Sequence, residues 1–323
     1  MTIEAVLEFA LIVFGLYGVV FSAHYFLKGA VGVSHRFGVP EFVVGSVIVA
    51  IGTSAPELAI NVAASLRSAG DVIASNIIGS NIVNLGLGIG LAGLLVSYRQ
   101  PPRDYLSIAI LGLFCAIALL MVTLLSGVGA DNAVFGRWLG GGFLLAFSGF
   151  MYWSIRHSKA DDDDSEDVVL SDNRLPTIFF LLAAGAVGMT FFADLTVRNA
   201  VGFASTLGVP DVIIGATIIA AGGSLPEVFS CIAAARLKRP NIVVGNIVGS
   251  QVFNILGILG ASALISQFSY SRALFFDLIV LIVMTLVWIA SFHVVPLRRF
   301  IGPIMLAFFT FYIAYLLRVA LGG

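Results

Sequence analysis

Long apolar stretches separated by short polar clusters run along nearly the whole chain. They predict ten membrane-spanning helices, near residues 5–27, 41–66, 72–97, 105–126 and 135–155, then 176–197, 211–235, 242–267, 273–292 and 300–319. Each stretch approaches the ~20 residues a helix needs to cross a hydrocarbon core. The runs are too long and too uniformly apolar for transmembrane barrel strands, which alternate. The expected class is an all-α polytopic membrane protein.

Composition agrees with that class. Of the 323 residues, 59% are hydrophobic and 11% charged, where a soluble domain carries about 25% charged residues. The first apolar stretch is too long for a cleaved leader and lacks a basic start, so it is expected to be a true span. Cys115 and Cys231 fall inside predicted spans, where thiols act as small apolar packing groups.

The net charge of −1 says little about partners, but the positions of the positive charges do. Numbering the connections alternately, one set holds 12 Lys and Arg residues, including Lys28, Arg36, Arg236, Lys238 and Arg239, and the other holds 5. Cytoplasmic loops are the ones enriched in Lys and Arg. Both termini are therefore expected outside, with the linker at 156–175 cytoplasmic.

The chain also repeats itself at an offset of 170 residues. Residues 38–90 align with 208–260 without a gap, and 18 of the 53 positions are identical. Weaker matches extend back through Phe21/Phe191 and Lys28/Arg198, so the repeating unit is a five-helix half. The expected domains are 1–155 and 176–323. An odd number of spans per half turns the second copy upside down relative to the first. Inverted repeats of this kind build transporters, with the site near the midplane where the halves meet.

The best-matched segments are polar and lie mid-span. The first pair is Gly52-Thr53-Ser54-Ala55-Pro56-Glu57 and Gly222-Gly223-Ser224-Leu225-Pro226-Glu227. A charge there costs at least about 2.5–3.5 kcal/mol, so it needs a partner or a bound cation. Pro56 and Pro226 lack an amide hydrogen, which frees the carbonyls of Gly52 and Gly222 from helical bonding. Freed carbonyls survive in a membrane only where they line a polar cavity. With the hydroxyls of Thr53, Ser54 and Ser224 they form a set of hard oxygen ligands suited to calcium, and equally to sodium.

The second pair is a polar stripe, Asn76, Ser80 and Asn84, repeated at the same spacing as Asn246, Ser250 and Asn254. Residues four apart share one helix face. Gly79 and Gly249 beside them are expected to let these helices approach the broken ones closely. Interhelical hydrogen bonding is an equal reading for Asn76 and Asn246, whereas ion contact is favoured for the other four.

Glu57 and Glu227 together carry −2 when ionised. One calcium or two sodium ions would neutralise them, while an ion-free pair would be costly to bury. That arithmetic enforces exchange over leak. His24 and Asp194 occupy equivalent repeat positions and are expected to cap helices, contact lipid headgroups or admit ions. Glu8 and Asp277 are expected near the outer boundary. The run Asp161–Asp164 lacks the glycine and terminal glutamate of an EF-hand loop and is expected to be a solvated linker.

At these residues the chain closely resembles the calcium/cation antiporter superfamily, and in particular its prokaryotic sodium/calcium exchangers. The resemblance implies that Glu57 and Glu227 bind calcium, with backbone oxygens near Thr53 and Gly223 completing the centre. It implies flanking sodium sites at Thr53, Ser54, Ser80, Ser224, Ser250 and the carbonyls around Ala50 and Ala220, with Asn84 and Asn254 central. It also implies sliding of spans 1 and 6 past the remaining helices, and a prokaryotic plasma (inner) membrane. Two departures stand out. Gly223 replaces a threonine, and both central positions are Asn rather than the Asp of potassium-coupled members.

The function expected is therefore calcium/sodium antiport, with no cofactor and no nucleic-acid partner. Proton/calcium exchange on the same fold is the alternative, to which Gly223 lends weight. A membrane enzyme using two carboxylates as acid and base is a lesser one, because no nucleophile, metal cluster or substrate groove is placed near the glutamates.

Overall fold

The structure, a computed structural model, describes residues 3–96, 103–125, 132–157, 174–271 and 274–321. It is mostly helical, as apolar runs in a bilayer require, since every backbone N–H and C=O must be satisfied within the segment. Helix α1 spans Ile3–Phe37. Helices α2 (Glu41–Thr53) and α3 (Ala55–Leu66) form one broken unit, bent by 48° at Ser54. Then come α4 (Gly70–Leu95), α5 (Arg103–Leu125), strand β1 (Asn132–Phe135) and α6 (Arg137–His157). The second half brings α7 (Leu175–Thr206), α8 (residues 211–222), α9 (Leu225–Arg236) and α10 (Pro240–Ile265). Strand β2 (Phe268–Ser271), α11 (Phe275–His293), the short α12 (Val295–Arg299) and α13 (Ile301–Ala320) complete it.

Among the described residues, seven helices are long and apolar enough to cross a membrane: α1, α4, α6, α7, α10, α11 and α13. The bent α2–α3 pair adds an eighth, and α5 carries a shorter apolar run, Ala109–Leu125.

The repeat is written into the backbone. Gly38 and Gly208, 170 residues apart, take positive φ of 62° and 77°, and Ser68 and Lys238 take 54° and 56°. The turn bond from Val39 N–H to Ser34 O (3.2 Å) recurs as Val209 to Ala204 (3.0 Å). The bond from Ala69 to Ala64 (3.0 Å) recurs as Arg239 to Ala234 (2.9 Å).

Two features went beyond the expected pattern. Each half holds two π-helical turns at matching places, Val44–Val49 with Gly215–Ile219, and Asn84–Ile89 with Phe253–Ile258. Such wide turns concentrate at functional sites because they disturb the regular i→i+4 ladder. A purely helical chain was expected, yet β1 and β2 pair antiparallel, Asn132 opposite Ser271 and Phe135 opposite Phe268. This ribbon is tied down by Ser271 N–H donating to Asp71 Oδ1 (2.6 Å) and by a Tyr270–Thr123 hydroxyl contact (2.8 Å).

Helices α1 and α7 also outrun their predicted limits of 27 and 197, ending at Phe37 and Thr206. At 1.5 Å per residue, the 35 residues of α1 reach about 52 Å, beyond the ~30 Å hydrocarbon core, so it tilts or projects. The two helices pack together along their length. Gly15, Gly18 and Gly29 seat Thr196, Phe192 and Leu182, while Gly185 and Gly188 seat Phe26 and Ser22. At the centre, the apolar window of α10 is wholly buried and that of α4 is 72% buried. The acidic linker at 156–175, including Asp161–Asp164, falls almost entirely outside the described residues.

Candidate functional site

The breaks at Ser54 and Ser224 create the site. Pro56 and Pro226 each sit in the first turn of the helix that follows, where a missing N–H is harmless. The serines before them adopt nearly the same backbone, φ −85°, ψ 11° and φ −87°, ψ 7°. Each break starts a helix whose first turn carries the glutamate, so Glu57 and Glu227 lie at helix N-termini, where anions are favoured.

Both glutamates are buried, 1% and 0% exposed. Their hydrogen bonds are reciprocal across the halves. Ser54 Oγ donates to Glu227 Oε1 (2.7 Å), and Ser224 Oγ donates to Glu57 Oε1 (3.4 Å). The two carboxylates are close enough to interact electrostatically. The second oxygen of each, Glu57 Oε2 and Glu227 Oε2, is buried without a hydrogen-bond partner. A buried, unpartnered carboxylate oxygen is costly unless a cation meets it.

Neutral oxygens surround the pair. Ser54 Oγ lies 3.4 Å from Ser250 Oγ, which lies 3.5 Å from Asn246 Oδ1. Asn254 donates to Asn81 Oδ1 (3.4 Å), leaving Asn254 Oδ1 free, and neither side-chain atom of buried Asn84 has a partner. Ser80 is 2% exposed. Thr53 Oγ1 donates back to the carbonyls of Val49 (3.0 Å) and Ala50 (3.3 Å). Gly222 and Ala220 lie in the last turn of α8. At Gly223, a Cβ would stand 3.7 Å from Glu57 Oε1, so the second break faces the first glutamate. Among the described residues no group of three or more His, Cys, Asp or Glu could hold a metal. The site is two carboxylates among hydroxyls, amides and backbone carbonyls, a hard-oxygen set.

A family model described as sodium/calcium exchanger protein matches residues 7–156 and 177–318. The sodium/calcium exchanger MaX1 of Methanosarcina acetivorans is 30% identical, covering 96% of this chain and 97% of that protein. The inner membrane protein YrbG of Escherichia coli is 33% identical over 81% of this chain and 83% of its own length. The chain belongs to the sodium/calcium exchanger family. A solved structure of the sodium-calcium exchanger NCX_Mj, soaked with 2.5 mM Na+ and 0.1 mM Ca2+, superposes with a TM-score of 0.78 at 28% identity, covering 97% of this chain and 99% of that one. This is a multi-span membrane protein of the exchanger family.

Within this exchanger, the predicted stripes separate. Ser250 and Asn246 join the Glu227 cluster, whereas Asn76 is only half-buried and its Nδ2 has no partner. Asn84 and Asn254 lie on π turns rather than on a straight helical stripe. Three polar side chains were not singled out. Asn61 donates to the Glu57 carbonyl (2.7 Å), Asn81 bonds Asn254, and Gln251 donates to Thr285 (3.1 Å). Their burial within apolar segments was the available signal. Asp194 pairs with Arg198 on the surface (2.8 Å), and Glu8 accepts from Thr206 (3.2 Å).

The glycine expectation holds on one side only. A Cβ on Gly249 would strike the backbone of Ser46, and one on Gly45 would stand 2.7 Å from Ile242 O. Their repeat equivalents, Gly79 and Gly215, have nothing within 4 Å among the described residues. Helix α2 is thus sealed against α10 at these two glycines. On the sealed side Arg239 Nη1 meets Glu41 Oε1 at 2.6 Å, with side chains only 4% and 9% exposed. The second copy cannot repeat this pair, because Ala69 occupies the position equivalent to Arg239.

Proposed function

We propose that the chain exchanges calcium for sodium across the plasma membrane by alternating access at a Glu57/Glu227 centre. Ten spans would form two inverted five-helix halves, 1–155 and 176–323, joined by a cytoplasmic linker, with both termini outside. The observation that carries this reading is the reciprocal pair of serine–glutamate hydrogen bonds, each leaving one carboxylate oxygen unpartnered in a buried site.

Glu57, Glu227, Thr53 and Gly223 would hold calcium, the last two through backbone oxygens. Thr53, Ser54, Ser224, Ser80, Ser250 and the carbonyls of Ala50 and Ala220 would hold sodium. Asn84 and Asn254 supply neutral polar groups, so the centre stays at −2 and is balanced by either one calcium or two sodium ions. An unbalanced centre is costly to bury, which couples the inward and outward passages. The close α2–α10 contact at Gly45 and Gly249 supports a closed gate on one side of the centre, which alternating access requires. No cofactor is required, because the ions are cargo.

The test is calcium uptake into proteoliposomes loaded with sodium, beside vesicles with a matched pH gradient and no sodium. Uptake should follow internal sodium and vanish in Glu57→Gln and Glu227→Gln. Uptake driven by the pH gradient alone would replace sodium with protons, and full activity in both variants would remove the glutamates from the site.

A further inference from the structure

A cavity of about 310 Å³ lies away from the glutamates in the seam between α1 and α9. Its walls include Val20, Phe21 and His24 from α1, and Phe229, Ile232 and Arg236 from α9. Phe229, Ile232 and Arg236 are three and four apart, and Val20 and Phe21 lie four and three before His24, so each wall is one helix face. Phe21 is 51% exposed, which leaves the groove open along the apolar flank of the protein.

The groove has one cationic end. Ser22 of α1 lies against Gly188 of α7, and Gly15 lies against Thr196. Ser230 of α9 contacts Met189 (3.4 Å), and Gly222 before it touches Val197. Helices α1 and α9 therefore both run antiparallel to α7 and parallel to each other. That brings His24 and Arg236, both lining the groove, to the same end, with Lys28 one turn beyond His24 and its Nζ 5.4 Å from the centre of the Tyr25 ring. Among the described residues none of the three pairs with a carboxylate, whereas Arg198 and Arg239 do. Arg236 ends α9, nine residues past the midplane Glu227, or about 13 Å along the helix. That depth matches the boundary between hydrocarbon and headgroups.

We propose that this groove binds one anionic phospholipid, with its phosphate against Arg236 and an acyl chain along Phe21, Val20, Phe229 and Ile232. The apolar walls accept the chain, and Arg236, without a carboxylate partner among the described residues, selects the negative headgroup. The lipid bridges α1, half of the α1–α7 pair, to α9, which carries Glu227. Binding stands independently of the transport reading; only an effect on exchange rate rests on it.

The experiment is native mass spectrometry of the full-length protein titrated with phosphatidylglycerol or phosphatidylcholine of identical acyl chains. The wild type should retain one phosphatidylglycerol preferentially. Arg236→Gln should cut that preference about fivefold, the effect of one basic residue near a lipid surface. Val20→Trp, which fills the groove, should lower retention of the bound lipid, while Arg299→Gln, a distant surface cation, should change nothing. Thermal unfolding of each variant checks its fold. Equal preference in Arg236→Gln and Arg299→Gln would overturn the proposal. So would displacement of the lipid by millimolar inorganic phosphate, which would mark a simple anion site.

Discussion

Restoring a hydroxyl at position 223 should strengthen sodium binding without harming the fold. Thr53 supplies a hydroxyl at the first break, and Gly223 supplies none at the second. A Cβ at Gly223 stands 3.7 Å from Glu57 Oε1, an ordinary contact, and its φ lies outside the left-handed region, so threonine fits. One bond further on, the hydroxyl reaches ligating distance of the carboxylate and its ion. A hydrogen bond to a charged group contributes about 1.5–3 kcal/mol, and ordering the new side chain removes about 1 kcal/mol. The net, roughly 1 kcal/mol, corresponds to about fivefold in affinity. In proteoliposomes, the sodium concentration giving half-maximal calcium exchange should fall about fivefold in Gly223→Thr. Gly223→Ala adds the Cβ alone and should leave it in place. An unchanged sodium dependence in Gly223→Thr, or an equal shift in Gly223→Ala, would refute the role given to the hydroxyl.

Removing one partner of the Glu41–Arg239 pair should destabilise the protein by about 3–5 kcal/mol, because the survivor loses its buried ion-pair partner. Thermal melting of Glu41→Gln, Arg239→Met and the double variant Glu41→Leu/Arg239→Met checks this, with the double variant recovering much of the loss. Gly249→Ala should misfold or melt early from its clash with Ser46, whereas Gly79→Ala should melt normally yet slow exchange, as stability and flux assays on the same preparation will show. With Cys115 and Cys231 replaced by alanine, paired cysteines at Val72 and Gly215 should cross-link only while the protein cycles, since Gly45 already touches Ile242 at the equivalent place. Cross-linking in resting protein at the same rate would count against alternating access.

The helical plan, the repeat and the glutamate pair were legible because each has a strong local signature: unbroken apolar runs, an offset of constant length, and a proline fixing where the chain must open. Asn61 and Asn81 were harder to single out because their partners, the Glu57 carbonyl and Asn254, are set by packing rather than by a repeated motif. The π turns leave no residue type that demands them. Asn84 and Asn254 were therefore placed on a straight stripe that the wider turn breaks. The ribbon pairs residues 133 to 139 apart, Phe135 with Phe268 and Asn132 with Ser271, so no local pattern announced it. The overrun of α1 to Phe37 reflects polar residues, Ser34, His35 and Arg36, continuing a helix past the apolar run that hydropathy measures.

Gly45 and Gly249 are explained by what presses on them, whereas among the described residues Gly79 and Gly215 border nothing that a methyl group would disturb. If the halves trade places, those two glycines mark where the chain must next close, and the sequence carries an imprint of a shape the molecule is not now holding.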